Sequence, residues 1–295
     1  MDTVKLRKNI SNILLMIITI FFALNLKEVH AASEIVLTFT DTAIKETVSG
    51  SGYTITGTSL EITKAGTYRI KGSSNEGNIE VKKGVTGVKI ILDNLTLASS
   101  KTAPIVIKKD GASATIKSVG FNTLINNEDP NNEFSEDPEL VDAFEGAVIK
   151  VKSNSSLIFE GTGAIKAVGN TKNGIKGGSE SSIILNAGVL NIQAANTGLA
   201  CDGSITINNG LLEIDAYNEG IKLEPDEGDT LSRAELVINN GKIDINAGQD
   251  GIQAVGDINI SGWPLISINS LEDGIQTKSN FNMSNGDLTI HTFEG

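Results

Sequence analysis

One phrase returns through the second half of this chain and constrains its fold more than any other feature. It reads IILNAGVLNIQAANTGL at 183–199, ITINNGLLEIDAYNEGI at 205–221, LVINNGKIDINAGQDGI at 236–252 and INISGWPLISINSLEDGI at 258–275. The grammar is apolar-x-apolar, an Asn/Gly turn, apolar-x-apolar, then a small or acidic residue before Gly-Ile or Gly-Leu. The recurring glycines are Gly174, Gly198, Gly220, Gly251 and Gly274, in steps of 24, 22, 31 and 23 residues, so one insertion interrupts a period near 23. A fixed period of this kind is the mark of a solenoid. Each repeat offers three short strands with Ile, Leu or Val pointing inward, and one repeat cannot bury that face alone. Stacking repeats about 4.8 Å apart pairs every strand with the next coil and makes a continuous apolar column. The expected fold is therefore all-β: a parallel β-helix, a single-chain solenoid with coils of about 23 residues. Ile192, Ile214, Ile245 and Ile268 should form one internal column, and Ile175, Leu199, Ile221, Ile252 and Ile275 another. Asn-Gly at 209–210, 240–241 and 285–286 supplies residues tolerant of positive φ at the bend.

The rest of the chain divides around these coils. Residues 1–31 carry a basic head (Lys5, Arg7, Lys8), the apolar run ILLMIITIFFAL and a small-residue cleavage site near Ala31. That is the pattern of a secretory signal peptide, with an apolar core shorter than the roughly 20 residues a membrane span needs. The expected product is secreted, extracellular or at a bacterial cell surface, and free of membrane after cleavage. Residues 32–125 alternate apolar and polar positions between Gly, Asn and Lys-Gly punctuation, as in SEIVLTFT, GYTITG and VKIILDNLTL, and are expected to be N-terminal capping strands and first coils. Residues 126–145 break the pattern: 126–142 holds seven acidic residues and two prolines in 17 positions, which predicts an exposed acidic loop. Regular coils are expected over 146–295, with a second acidic insertion, LEPDEGDTLSRAE, at 223–235. The final stretch FNMSNGDLTIHTFEG matches the first two strands and turn of a further coil. An open strand edge there predicts either a longer protein or cover by a partner or second copy, the latter as self-association at the C-terminal coil.

Charge narrows the partners. Loss of the leader, with four basic and two acidic residues, moves the formal net charge from −12 to −14, which repels nucleic acid and anionic lipid. The single cysteine, Cys201, excludes an intramolecular disulfide framework and reads as core. His291 is the one histidine outside the leader, so histidine-rich metal sites and histidine triads are excluded.

The residues before the coil glycines read Asn173, Thr197, Glu219, Asp250, Asp273 and Glu294. In register, the last four place carboxylates one coil apart, where each pair repels by roughly 1 kcal/mol in water and by 3 or more at an effective dielectric of 20. Two arrangements accommodate this: a hard cation such as calcium ligated by the row, or a solvated ladder screened by salt. The 223–235 insertion loops out between the Glu219 and Asp250 coils and brings Glu224, Asp226, Glu227 and Asp229, the one place where the six to eight oxygens calcium wants could converge. Just after Gly-Ile or Gly-Leu stands a second row, Lys176, Ala200, Lys222, Gln253 and Gln276, suited to sugar hydroxyls or uronate carboxylates. A lysine on a solvated turn is the ordinary reading; Lys222 beside calcium-bound acids would instead be placed to take a proton. Trp263, in SGWPL, is a single stacking platform or a packing plug. With aromatics only 4% of the chain and none repeating at coil spacing, an anionic polysaccharide fits better than a crystalline face.

Three blocks carry a family resemblance: AGTYRIKGSSNEGNIEVKKGVTGVKIILDNLTL with APIVIKK and NTLINNEDP; GAVIKVKSNSSLIFEGTGAIKAVGN; and the coils ending in EGI, DGI and DGI with the acidic insertion between two of them. Together they make the chain similar to secreted clostridial carbohydrate-binding β-helix proteins with a pectate-lyase-like fold. The resemblance implies a right-handed parallel β-helix that binds plant cell-wall polysaccharide, pectin or polygalacturonate and cellulose, with calcium as cofactor and without turnover. Asn173 and Thr197 depart from the acidic pattern of the family, which leaves the early part of the ladder uncharged. The alternatives are a calcium-dependent pectate-type lyase and a structural surface adhesin.

Overall fold

A computed structural model describes residues 34–225, 228–229 and 233–293; the signal peptide expected at 1–31 and the last acid of the row, Glu294, lie outside the described residues. The described chain is all-β with parallel sheets. Each coil contributes one strand to each of three faces, in the order seen at Asn173–Gly177, Ser182–Leu185 and Val189–Ala194. The strand on each face pairs in parallel with the strand of the next coil, and the pairing is solenoid-like in its order.

On the first face Ile175, Leu199, Ile221, Ile252 and Ile275 stand in one register column. On the third face the column runs Ile192, Ile214, Ile245, Ile268 and on to Ile290. Both columns are the expected ones. Each fully buried Ile or Leu contributes about 1.5–3 kcal/mol relative to exposure, and the parallel pairing satisfies the backbone around it.

The repeating glycine is a packing requirement of the same coil. A Cβ on Gly174, Gly198, Gly220, Gly251 or Gly274 would lie 2.1–2.3 Å from the Cγ2 of Ile192, Ile214, Ile245, Ile268 or Ile290 respectively. Each coil therefore closes by pressing a third-face isoleucine against the bare α-carbon that opens it. At the corner between the second and third faces, Asn208 donates to the Asn186 amide oxygen at 2.8 Å and Asn239 to that of Asn208 at 2.8 Å, an amide ladder along the stack. There the positive φ falls on Gly210, Gly241 and Gly286 and not on the asparagines before them.

The N-terminal part opens with two antiparallel pairings, Ile35–Phe39 with Ile44–Val48 and Tyr53–Thr56 with Ser59–Ile62, before parallel coils begin. The acidic stretch is more ordered than the exposed loop its composition predicts. It forms a 3-10 turn at Pro130–Phe134 and a short α-helix at Pro138–Ala143. In each, an Asp-Pro pair supplies the cap and the first position: Asp129 accepts the Asn131 N–H and Asp137 the Glu139 N–H. The prolines that forbid a strand here start helical turns. Its root is Glu128, 2% exposed, whose carboxylate accepts the Glu145 and Gly146 N–H groups at 2.7 and 2.9 Å and the Asn126 amide at 2.6 Å.

Candidate functional site: a lysine-lined cleft on the first face

First-face strands are three to five residues long, with apolar residues inward and one outward position per coil between them. In register, that outward row reads Lys150, Lys176, Ala200, Lys222, Gln253 and Gln276. The helical excursion at 130–144 stands beside its first part. Between them lies a cleft of about 590 Å³, lined by Glu133, Phe144 and Glu145 from the excursion side and by Lys150, Lys172, Lys176, Thr197, Glu219 and Lys222 from the coils. Four lysines meet in one cleft of a chain whose net charge is −12.

Three of these lysines are held by carboxylates. Lys172 pairs with Glu133 at 2.6 Å, Lys176 with Asp202, and Lys222 with Glu219 at 2.8 Å and Glu224 at 3.1 Å. Lys150 makes no ion pair among the described residues. Burial, with Lys176 and Lys152 nearby, lowers its pKa against the opposing pull of Glu145 and Asp202. Burial also pulls Lys222 down, but the carboxylates of Glu219 and Glu224 outweigh it and its pKa is raised. A lysine held protonated in this way is a poor general base, which weighs against the lyase alternative at Lys222.

The acid row is settled by its own coils. The carboxylate before each glycine accepts a hydrogen bond from the outward side chain three residues on. Glu219 takes Lys222 at 2.8 Å, Asp250 takes Gln253 at 2.9 Å, and Asp273 takes Gln276 at 3.0 Å. Neighbouring coils add to this: Thr197 donates to Glu219 at 2.8 Å and the Asp273 N–H to Asp250 at 3.0 Å. Burial raises Glu219, and the Lys222 and Thr197 hydrogen bonds more than reverse it, leaving its pKa lowered.

The repulsion expected along the row is thus offset by internal donors. Among the described residues, no three Asp, Glu, His or Cys side chains gather as a metal-binding group. The acid row by itself does not fit a cation that wants six to eight oxygens. Glu224 is exposed and turned to Lys222 and Lys278, Asp229 is half-buried, and Asp226 and Glu227 lie outside the described residues.

Of the residues expected to meet sugar, Lys176 and Lys222 line the cleft, while Gln253 and Gln276 continue the same row beyond it, joined to each other at 3.3 Å. Trp263 does not join them. It is 76% exposed, so it is no packing plug, and it sits at the corner between the second and third faces with its backbone N–H donating to the Asn240 amide oxygen. Lys150, Lys172, Glu133 and Phe144 were not expected. Lys150 was legible as the residue one coil before Lys176, whereas Lys172, Glu133 and Phe144 reach the cleft only through the path of the excursion.

The family model for carbohydrate-binding domain-containing proteins matches residues 56–268 of this chain. No curated protein sequence matches it. Among solved structures, a polysaccharide lyase-like protein from C. thermocellum, determined as a gadolinium derivative, is similar. It has 23% identity and a TM-score of 0.72, over 86% of this chain and 99% of that one. At this identity the likeness shows the fold.

Proposed function

Because this chain belongs to the carbohydrate-binding domain-containing protein family, we propose that it is a non-catalytic polysaccharide-binding protein whose lysine-lined cleft takes a polyuronate of the pectin type. The observation that carries the reading is the convergence of Lys150, Lys172, Lys176 and Lys222 in one cleft. An incoming uronate carboxylate meets Lys150 without displacing a carboxylate of the chain. At Lys172, Lys176 and Lys222 it exchanges with Glu133, Asp202 and Glu219, which keep the ammonium groups oriented while the cleft is empty of sugar. The same proposal includes export through the leader at 1–31 and a right-handed β-helix. The hand follows from the strong right-handed preference of parallel strand crossovers.

Calcium is a separate part of the proposal. It would rest on the 223–235 insertion, where Glu224 and Asp229 stand among the described residues, and not on the acid row. Self-association is another separate part, for which the last coil offers Phe281 and Ile290, 42% and 39% exposed.

Binding to insoluble polygalacturonate, pectin and cellulose, with and without chelator, tests the reading. The expected result is retention on the acidic polymers and a loss of about tenfold or more in affinity for Lys150→Met with Lys176→Met. Retention on none of the three polymers would sink it and leave the adhesin reading. Loss of binding in chelator would establish the calcium part, and unchanged binding would remove it. A second reading as a lyase rests on Lys150, which lines the cleft without an ion pair among the described residues and whose pKa burial lowers, the direction a general base needs. New ultraviolet absorbance from unsaturated uronate, abolished in Lys150→Met, would replace the binding reading with that one.

A further inference from the structure

A second and larger groove, of about 1070 Å³, runs along the corner between the third and first faces, beside the lysine cleft, with Asn218 lining both. Its base is the last inward position of each third-face strand: Ala194, Ala216, Ala247 and Ser270, in register. One residue further on comes the row Ala195, Tyr217, Gly248, Leu271 and Phe293. The backbone keeps this row in step: the Tyr217 N–H donates to Ala194, the Gly248 N–H to Ala216 and the Phe293 N–H to Ser270, at 3.0–3.1 Å. Tyr217, Leu271 and Phe293 are 76%, 46% and 69% exposed. Two aromatic rings and a leucine thus share one line along the stack, although no aromatic repeats at coil spacing in the chain. A Cβ on Gly248 would lie 2.0 Å from the Tyr217 carbonyl oxygen, so the backbone imposes an open place beside the ring.

The sides are polar and uncharged or acidic. Asn246 and Asn269 are joined at 2.9 Å, and Asp215 and Glu272 also line the groove, but no lysine or arginine does among the described residues. At the base, Ser270 is 1% exposed and its inward hydroxyl is closed off from the groove, so the floor is offered as small, uncharged surface.

We propose that this groove is a second glycan site, specific for a neutral extended pyranose chain. The apolar faces of its sugars stack on Tyr217 and Phe293, and its hydroxyls meet the Asn246 and Asn269 amides. Tyr217 and Phe293 are three coils apart, about 14 Å at about 4.8 Å per coil, a span that several linked pyranose rings bridge. The absence of cationic groups, with Asp215 and Glu272 present, selects against the uronates that suit the lysine cleft. The inference rests on the polysaccharide-binding reading for the class of ligand and on its own residues for the site.

Titration calorimetry of the full chain with β-1,4-linked hexaoses of glucose, xylose and mannose, and in parallel with polygalacturonate, tests it. At least one neutral hexaose should bind, with Tyr217→Ala and Phe293→Ala each weakening it about tenfold and Tyr217→Phe keeping it, while polygalacturonate binding stays unchanged. Lys150→Met should give the reverse pattern. Because Tyr217 and Phe293 are exposed, the melting temperatures of these variants should match the parent, which separates lost binding from lost fold. Polygalacturonate binding without any neutral hexaose, or neutral binding indifferent to Tyr217→Ala, would overturn this proposal alone. Failure of every glycan would overturn the proposed function with it.

Discussion

Lys222 and Glu219 show how one residue position can be read two ways. By composition, an acid in a stacked row asks for a cation; in the folded coil, the cation is the lysine three residues on. The pair makes a prediction about pH. Glu219 has a lowered folded pKa, so its contribution to stability is present above the unfolded value of about 4.3 and is lost as pH falls through the folded one. Lys222 has a raised folded pKa, so its contribution is full below the unfolded value of about 10.4 and is lost as pH rises through the folded one. Thermal melts against pH should therefore fall at both ends, and Lys222→Met should flatten the alkaline limb while lowering stability at neutral pH by about 1–3 kcal/mol. An unaltered alkaline limb would mean that the lysine is solvated and the ion pair contributes nothing.

The excursion at 130–144 is the element that turns an open sheet face into a cleft. It hangs on Glu128, whose carboxylate joins the end of one coil to the start of the next through the Glu145 and Gly146 N–H groups. Burial raises the Glu128 pKa despite these hydrogen bonds. The sign follows: what Glu128 contributes is full below its unfolded pKa and is lost as pH rises through the folded one. Removing the carboxylate is worse than charging it, because two buried N–H groups and the Asn126 amide lose their acceptor. Glu128→Ala should cost about 2–4 kcal/mol and raise hydrogen exchange across 128–146 more than in the coils beyond Ser182. Uniform protection after that substitution would show that the excursion is held by something other than this anchor. Polyuronate affinity should fall with it, since Glu133 and Phe144 leave the cleft together.

Across the whole molecule, the coil is the unit of stability, and each of the five coils opening at Gly174, Gly198, Gly220, Gly251 and Gly274 is closed by that glycine and an isoleucine 16–25 residues on. Gly220→Ala introduces no strain in φ but drives a methyl group into Ile245 Cγ2 at 2.3 Å and the Gly251 carbonyl oxygen at 2.6 Å. It should destabilise by about 1–3 kcal/mol. Ile245→Leu removes the β-branch that supplies the first of these contacts. A double-mutant cycle should therefore show favourable coupling of about 0.5 kcal/mol or more, measured by denaturant unfolding. Strict additivity would place the glycine requirement in the carbonyl contact alone.

The repeat by itself determined the parallel pairing, both isoleucine columns and the outward row that holds Lys176 and Lys222. Stacked strands hydrogen-bond at every step, so equal places in successive coils must align, and alignment is arithmetic on the period. Lys150 belonged to that arithmetic one coil earlier. The tertiary structure decided what register does not control. Whether Glu219 faces a cation or Lys222 depends on where a turn aims its side chain. Lys172, Glu133 and Phe144 meet because two Asp-Pro pairs fold an acidic stretch into helical turns, a local choice with a distant result. Tyr217, Leu271 and Phe293 fall into one line only when the insertion at 223–235 is lifted out of the count. A looped-out segment adds residues to the chain but no rise to the stack.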